Sequence, residues 1–141
     1  MAIAASHRFS PSGDLPVEAG RYRLVASGAC PWCRRVLIAR RLLGLTEAIP
    51  VSWSYGKGAD GYWELTGPDG EPGVDPALGA RSLAEVYEKT PGYEPAHTVP
   101  ALVDLHTGEV VRDDSGDLLF DLSTAWWDLQ REGPPDRYHI H

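Results

Sequence analysis

An α/β fold with a mixed four-stranded sheet flanked by helices is predicted by three observations. A strand-like run at residues 22–26 leads into a segment of helical period and then into a second strand-like run at 49–53. Two short apolar runs, 101–103 and 110–111, flank a turn sequence, as in an antiparallel hairpin. An amphipathic segment then closes the pattern.

The elements follow in order. Residues 1–20 read as an irregular lead-in punctuated by Pro11, Gly13, Pro16 and Gly20, residues 21–130 as one domain, and 131–141 as a tail. The first helix is expected from about Pro31 to Leu43: Val36, Leu37, Ala39, Leu42 and Leu43 approximate the helical period, and Gly44 suits a helix end. Strand, helix and strand at this spacing make a parallel βαβ unit with a right-handed crossover. Between Ser54 and Gly79 the chain is rich in Gly and Pro without a sustained period, which predicts a long functional or mobile loop. A second helix is expected from Ser82 to Lys89, with Ser82 as cap and Glu85 three residues on. Gly108 takes the left-handed position of the hairpin turn. The last helix begins at Asp113, Asp114 and Ser115. It presents Leu118, Leu119, Leu122, Ala125, Trp126 and Leu129 on one face and stops at Gly133, Pro134 and Pro135. This order, βαβ-α-ββα, is that of a thioredoxin-like fold.

Chemistry centres on Cys30-Pro31-Trp32-Cys33, which holds both cysteines of the chain, two residues apart between strand and helix. Cys30 falls where the helix begins, so its sulfur faces unpaired backbone N–H groups and the positive end of the helix dipole. Pro31 fits the first helical position, and Arg34 and Arg35 add positive charge within a turn. Each of these favours the thiolate, which is the nucleophile. Three plainer readings stay open: half of a zinc or cluster site shared between two subunits, simple buried packing, or an extracellular disulfide. No second Cys or His pair at ligand spacing supports the first, so no metal is expected.

The chain has 141 residues, of which 43% are hydrophobic, enough for one domain with a real core. A formal charge of -7 argues against nucleic acid as a partner. Arg34, Arg35, Arg40 and Arg41 nevertheless make the first helix basic, while 104–128 is rich in acids. A local cationic patch beside a thiol suits a small anionic ligand. No apolar run approaches spanning length and no signal peptide is visible, so the cytoplasm is expected and a membrane is not. His139 and His141 read as a disordered end, and His97 as a loop residue. Of the adjacent Trp126 and Trp127, one is expected to pack inward and the other to cover a further domain or a second subunit, as in a homodimer.

The chain resembles the N-terminal domain of glutathionyl-hydroquinone reductases, the xi class of glutathione transferases, over about residues 8–128. Ala29-Cys30-Pro31-Trp32, Gly61-Tyr62-Trp63, Thr98-Val99-Pro100-Ala101-Leu102 and Asp114-Ser115 carry the resemblance. It implies that Cys30 attacks the glutathione sulfur of an S-glutathionyl hydroquinone, giving a mixed disulfide that a second glutathione resolves. It also implies that Val99, before a cis Pro100, offers backbone groups to the cysteinyl part of glutathione. Asp114 and Ser115 would hold the γ-glutamyl end, with Trp32, Arg34 and Trp63 completing the site. The family's Glu is Asp114 here, one methylene shorter. Its usual Ala is Cys33 and its usual His is Arg34, and the resemblance stops before the family's all-helical C-terminal domain.

The leading expectation is a thiol-transfer oxidoreductase using Cys30 on a thioether or mixed disulfide of glutathione or another low-molecular-weight thiol. Two alternatives are a glutaredoxin-like dithiol enzyme using Cys30 and Cys33, and a non-catalytic thioredoxin-like module without its partner domain.

Overall fold

The computed structural model describes residue 9 and residues 15–57, 63–90 and 99–130. Its strands are β1 (Tyr22–Ala26), β2 (Val51–Lys57), β3 (Trp63–Leu65), β4 (Ala101–Asp104) and β5 (Glu109–Arg112); its helices are α1 (Pro31–Leu42), α2 (Leu83–Glu88) and α3 (Ser115–Ser123). A 3-10 turn, Trp127–Leu129, follows α3. The strands form one sheet in the order β3-β2-β1-β4-β5. The βαβ unit is present as expected: β1 runs parallel to β2 and antiparallel to β4, placing Leu24 between Val51 and Leu102. Four of the five β1 residues are buried, which suits a strand at the middle of a covered sheet.

The sheet has five strands rather than four, because the stretch read as a long loop supplies one. β2 continues past Trp53 to Lys57, and β3 pairs with it antiparallel across a bulge. Both serines of β2 face inward: Ser52 and Ser54 are buried, while Trp53 and Tyr55 are exposed. Each inward serine is satisfied. Ser52 Oγ accepts the Arg23 Nε hydrogen at 3.0 Å, and Ser54 Oγ donates to the Glu64 carbonyl at 3.1 Å.

Helix α1 ends as its sequence predicts. Gly44 adopts φ +72°, its N–H reaches the Arg41 carbonyl, and the Leu45 N–H reaches that of Arg40, a double closure that satisfies the last carbonyls. At α2 the Ser82 hydroxyl caps the Glu85 N–H at 3.4 Å, while the Glu85 carboxylate takes the Arg81 N–H rather than that of Ser82. In the β4–β5 turn Gly108 adopts φ +78°, as expected, and its N–H donates to the Asp104 carbonyl at 2.7 Å. Asp104 also anchors this turn from within the protein. Its carboxylate receives Arg21 Nε and Nη2, each at 3.0 Å, and the His106 N–H at 2.9 Å.

The last helix is shorter than its apolar stripe predicts and ends at Ser123. There the carbonyls that a further turn would have used find other donors: that of Asp121 takes the Trp126 N–H at 3.2 Å, and that of Leu122 the Gln130 side-chain amide at 2.9 Å. The chain then turns Trp126 fully into the core and leaves Trp127 more than half exposed, the inward–outward split expected of this pair. Trp126, Tyr22 and Phe9 meet edge to face, with ring centroids 5.2–5.7 Å apart. Phe9 and Leu15, from the lead-in, thus belong to the core. Helices α1 and α3 pack on each other, and α2 touches both edge strands, β3 and β5.

Candidate functional site

Cys30 is the N-cap of α1, with φ −93° and ψ 120°. Its sulfur takes the place of the usual cap oxygen and accepts the Cys33 N–H at 3.4 Å. The Cys30 thiol also reaches the Val99 carbonyl oxygen at 3.8 Å, joining the start of α1 to the strand that enters β4. The Val99–Pro100 peptide is cis. Cys33 sits one turn into the helix with its side chain fully buried and its sulfur accepting the Ser27 N–H at 3.5 Å. Burial, with a smaller contribution from a hydrogen bond to Cys30, pushes the Cys33 thiol up to about 12. The two cysteines therefore have opposite environments: one at the mouth of a helix, the other sealed beneath it.

Beside Cys30 lies an open cavity of about 430 Å³ lined by Trp32, Val99, Pro100, Asp113, Asp114 and Ser115. That volume falls within the range of small-molecule sites. Asp114 is the N-cap of α3, and one carboxylate oxygen accepts the Asp117 N–H at 2.9 Å. Gly116 leaves room for this, since a Cβ there would lie 3.1 Å from that oxygen. The start of α3 offers further backbone donors toward the same side.

Five residues singled out in the sequence thus line one cavity, with Cys30 against its Val99 wall. Trp63 lies on β3 and Arg34 elsewhere. The Arg34 side chain reaches the Gly28 carbonyl at 3.5 Å and lines a separate groove with Leu37, Ile38, Arg40, Arg41, Thr46 and Trp53. Arg35 is the arginine nearer the site, its guanidinium 5.8 Å from the centroid of the Trp32 ring. Sequence reasoning missed this stacking, although the three-residue spacing of Trp32 and Arg35 on a helix allows it. It also missed Asp113, whose carboxylate accepts the Tyr87 hydroxyl at 3.1 Å. Gly61, Tyr62, His97, Thr98, His139 and His141 lie outside the described residues. Among the described residues no cluster of three or more His, Cys, Asp or Glu side chains could hold a metal ion, and no helix is long and apolar enough to cross a membrane.

The family profile "Glutathione S-transferase, N-terminal domain" matches residues 29–124, which include the whole of this site. The chain is 39% identical over 115 residues to the glutathionyl-hydroquinone reductase PcpF of Sphingobium chlorophenolicum, covering 79% of this chain and 36% of that protein. Its fold matches a glutathione transferase from Gordonia bronchialis with a TM-score of 0.80 at 39% identity, over 96% of this chain and 44% of the other. It also matches the Xi glutathione transferase ECM4 from Saccharomyces cerevisiae in complex with glutathione, with a TM-score of 0.73 at 27% identity, over 88% of this chain and 45% of the other. The chain spans 35–43% of the length of the curated relatives it matches. With its helix-capping cysteine, its Val99–Pro100 strand entry and its acid–serine helix start inside the matched segment, the chain belongs to the glutathione S-transferase N-terminal domain family and is similar, within it, to glutathionyl-hydroquinone reductases and xi-class glutathione transferases.

Proposed function

We propose that this domain is the thiol-transfer half of a glutathione-type oxidoreductase, with Cys30 as nucleophile. The observation that carries the proposal is the placement of the Cys30 sulfur, at the start of α1 and 3.8 Å from the Val99 carbonyl that walls the cavity. The Cys30 thiolate attacks one sulfur of a bound disulfide RS–SR′. A Cys30–S–S–R bond forms, the S–S bond breaks, and R′S⁻ leaves with the bonding electron pair. With a thioether on a hydroquinone ring, the sulfur passes to Cys30 and the electrons of the carbon–sulfur bond go to the ring carbon, which takes up a proton. A second thiol then resolves the mixed disulfide in either case.

The thiol part of the substrate fits the cavity as the relatives' glutathione chemistry suggests. The Val99 backbone serves the cysteinyl portion, Asp114 pairs an ammonium, and Ser115 with the start of α3 receives a carboxylate. Trp32 supplies an apolar face, half exposed and open to the ligand.

A dithiol cycle through a Cys30–Cys33 disulfide is the second reading, favoured by the 3.4 Å contact between the Cys33 N–H and the Cys30 sulfur. The buried, protonated Cys33 thiol makes it the slower route at neutral pH. Turnover with glutathione disulfides, followed by intact-mass analysis, tests both readings. Cys30→Ser is expected to abolish transfer, and Cys33→Ser to keep a monothiol activity with one thiol adduct per chain. Transfer in the Cys30 variant overturns the assignment. Loss of transfer in a folded Cys33→Ser protein moves the function to the dithiol cycle.

A further inference from the structure

Three of the four arginines of α1, Arg34, Arg40 and Arg41, line a groove of about 230 Å³ that shares no residue with the lining of the Cys30 cavity. Its apolar part is Leu37 and Ile38 from the same helix and Trp53 from β2, with Ile38 and Trp53 about half exposed. The chain carries 20 acidic residues against 13 basic ones. Yet among the described residues no carboxylate lines this groove, and none pairs with these three guanidiniums.

Arg40 shows that the charge is built in. It is partly buried, and its Nε donates to the Ile49 carbonyl and its Nη2 to the Thr46 carbonyl at 2.9 Å, both neutral acceptors. Arg23 of β1 stands close enough for its charge to act on Arg40, and it too is held by neutral groups, the Ser52 hydroxyl at 3.0 Å and the Val51 carbonyl at 3.1 Å. Burial first, and then the Arg23 charge, lower the Arg40 pKa. A guanidinium held in these surroundings without a counter-charge carries a free-energy cost that an anion in the groove offsets.

An inorganic anion would answer the arginines and leave Ile38 and Trp53 in water. A neutral hydrophobe would cover those two and leave the arginines unmet. A flat ring bearing a carboxylate answers both, because planar guanidinium forks match a carboxylate at two points while the ring lies against the indole. The volume falls just below the usual range of small-molecule sites, which suits one or two fused rings and is small for a tripeptide thiol. We infer that this groove is a second ligand site, for a small aromatic carboxylate, independent of the thiol chemistry at Cys30.

The test titrates the ¹⁵N-labelled full chain with 2-naphthoate at pH 7 and low salt, and follows backbone amides and the Trp53 indole N–H by NMR. Saturating shifts are expected at Ile38, Arg41, Thr46 and Trp53, with half-saturation near or below about 1 mM. The neutral isostere 2-naphthamide is expected to bind about tenfold more weakly or worse. Arg41→Gln and Trp53→Thr, both at exposed positions, are each expected to weaken 2-naphthoate about threefold to tenfold, and high salt to act in the same direction. Arg81→Gln removes an equal charge from an exposed position outside the groove lining and is expected to change the affinity by less than about twofold. Shifts confined to Trp32, Val99 and Ser115, or shifts that do not saturate, overturn the inference. So does 2-naphthamide binding as tightly as the acid, or an equal loss in Arg81→Gln, which would assign the binding to the general field of the chain. Groove signals that move with protein concentration alone assign the surface to a second copy of the chain and likewise overturn it.

Discussion

Arg112 and Asp121 form an ion pair between β5 and α3, the helix whose start supplies Asp114 and Ser115 to the cavity wall. Arg112 closes β5, Asp121 faces it from α3, and their Nε–Oδ2 separation is 3.0 Å with both side chains almost wholly buried. A carboxylate removed from such a pair leaves a guanidinium in the interior without this counter-charge, which costs about 3–5 kcal/mol. Asp121→Ala is therefore expected to lower stability by that amount. For a domain of this size the loss corresponds to a Tm drop of roughly 10–20 °C. The double variant Arg112→Met/Asp121→Leu removes both charges and keeps the volume apolar, so it is expected to recover most of the loss, or to exceed the parent by about 1–4 kcal/mol.

Urea unfolding of the parent, the single variants Arg112→Met and Asp121→Leu and the double variant completes a double-mutant cycle, in which coupling of at least about 2 kcal/mol is expected. Single variants within about 1 kcal/mol of the parent, or additive losses in the double, would refute the reasoning. Either result would mean that the pair is spectator charge and that α3 is held on the sheet by Leu118, Leu122 and Trp126 alone.

Two other expectations follow from named contacts. Arg35→Gln is expected to slow Cys30 attack on glutathione disulfide about twofold to fivefold at low salt, because it removes the cation stacked on Trp32. Arg34→Gln, which lies in the other groove, is not expected to change it, and equal effects in stopped-flow assays would contradict the placement. Burial pushes the Tyr22 phenol up to about 12 from its usual 10, so its contribution to stability is full below pH 10 and is lost as pH rises through 12. Tyr22→Phe gives up the 2.6 Å bond to the Pro16 carbonyl, which costs about 1 kcal/mol at pH 7. Its urea midpoints between pH 9 and 12 are expected to fall less steeply than those of the parent.

What could be read from the sequence was what local physics dictates. Gly44 and Gly108 occupy left-handed positions that their neighbours in sequence announce, and Cys30-Pro31 marks a helix start on chemical grounds. The elements that escaped depend on partners distant in sequence. Ser54 looks like a loop residue until the Glu64 carbonyl satisfies it inside the sheet, so the continuation of β2 past Trp53 and the short β3 left no hydrophobic alternation to find. The end of α3 was hidden because its apolar stripe continues past Ser123, while the Gln130 side chain that takes the Leu122 carbonyl lies eight residues further on. Asp113 read as a lead-in to the helix cap at Asp114, and only Tyr87, 26 residues earlier, shows that its carboxylate is held at the cavity.

The same distinction governs the two cysteines, which the sequence presents as a symmetrical pair. Position decides their chemistry. Cys30 is outside the first helical turn, where its sulfur can serve as cap and meet a ligand in the cavity. Cys33 is the third helical residue, and three residues on lies Val36; both point into the core because that face of α1 must pack. To attack a Cys30 mixed disulfide, Cys33 would have to lose a proton in surroundings that hold its thiol up at about 12 and give up the Ser27 N–H. An external thiol arriving through the cavity meets neither requirement. The spacing of a dithiol motif is thus present, yet the packing of α1 biases the site toward one reactive sulfur and leaves its resolution to whatever thiol the cavity selects.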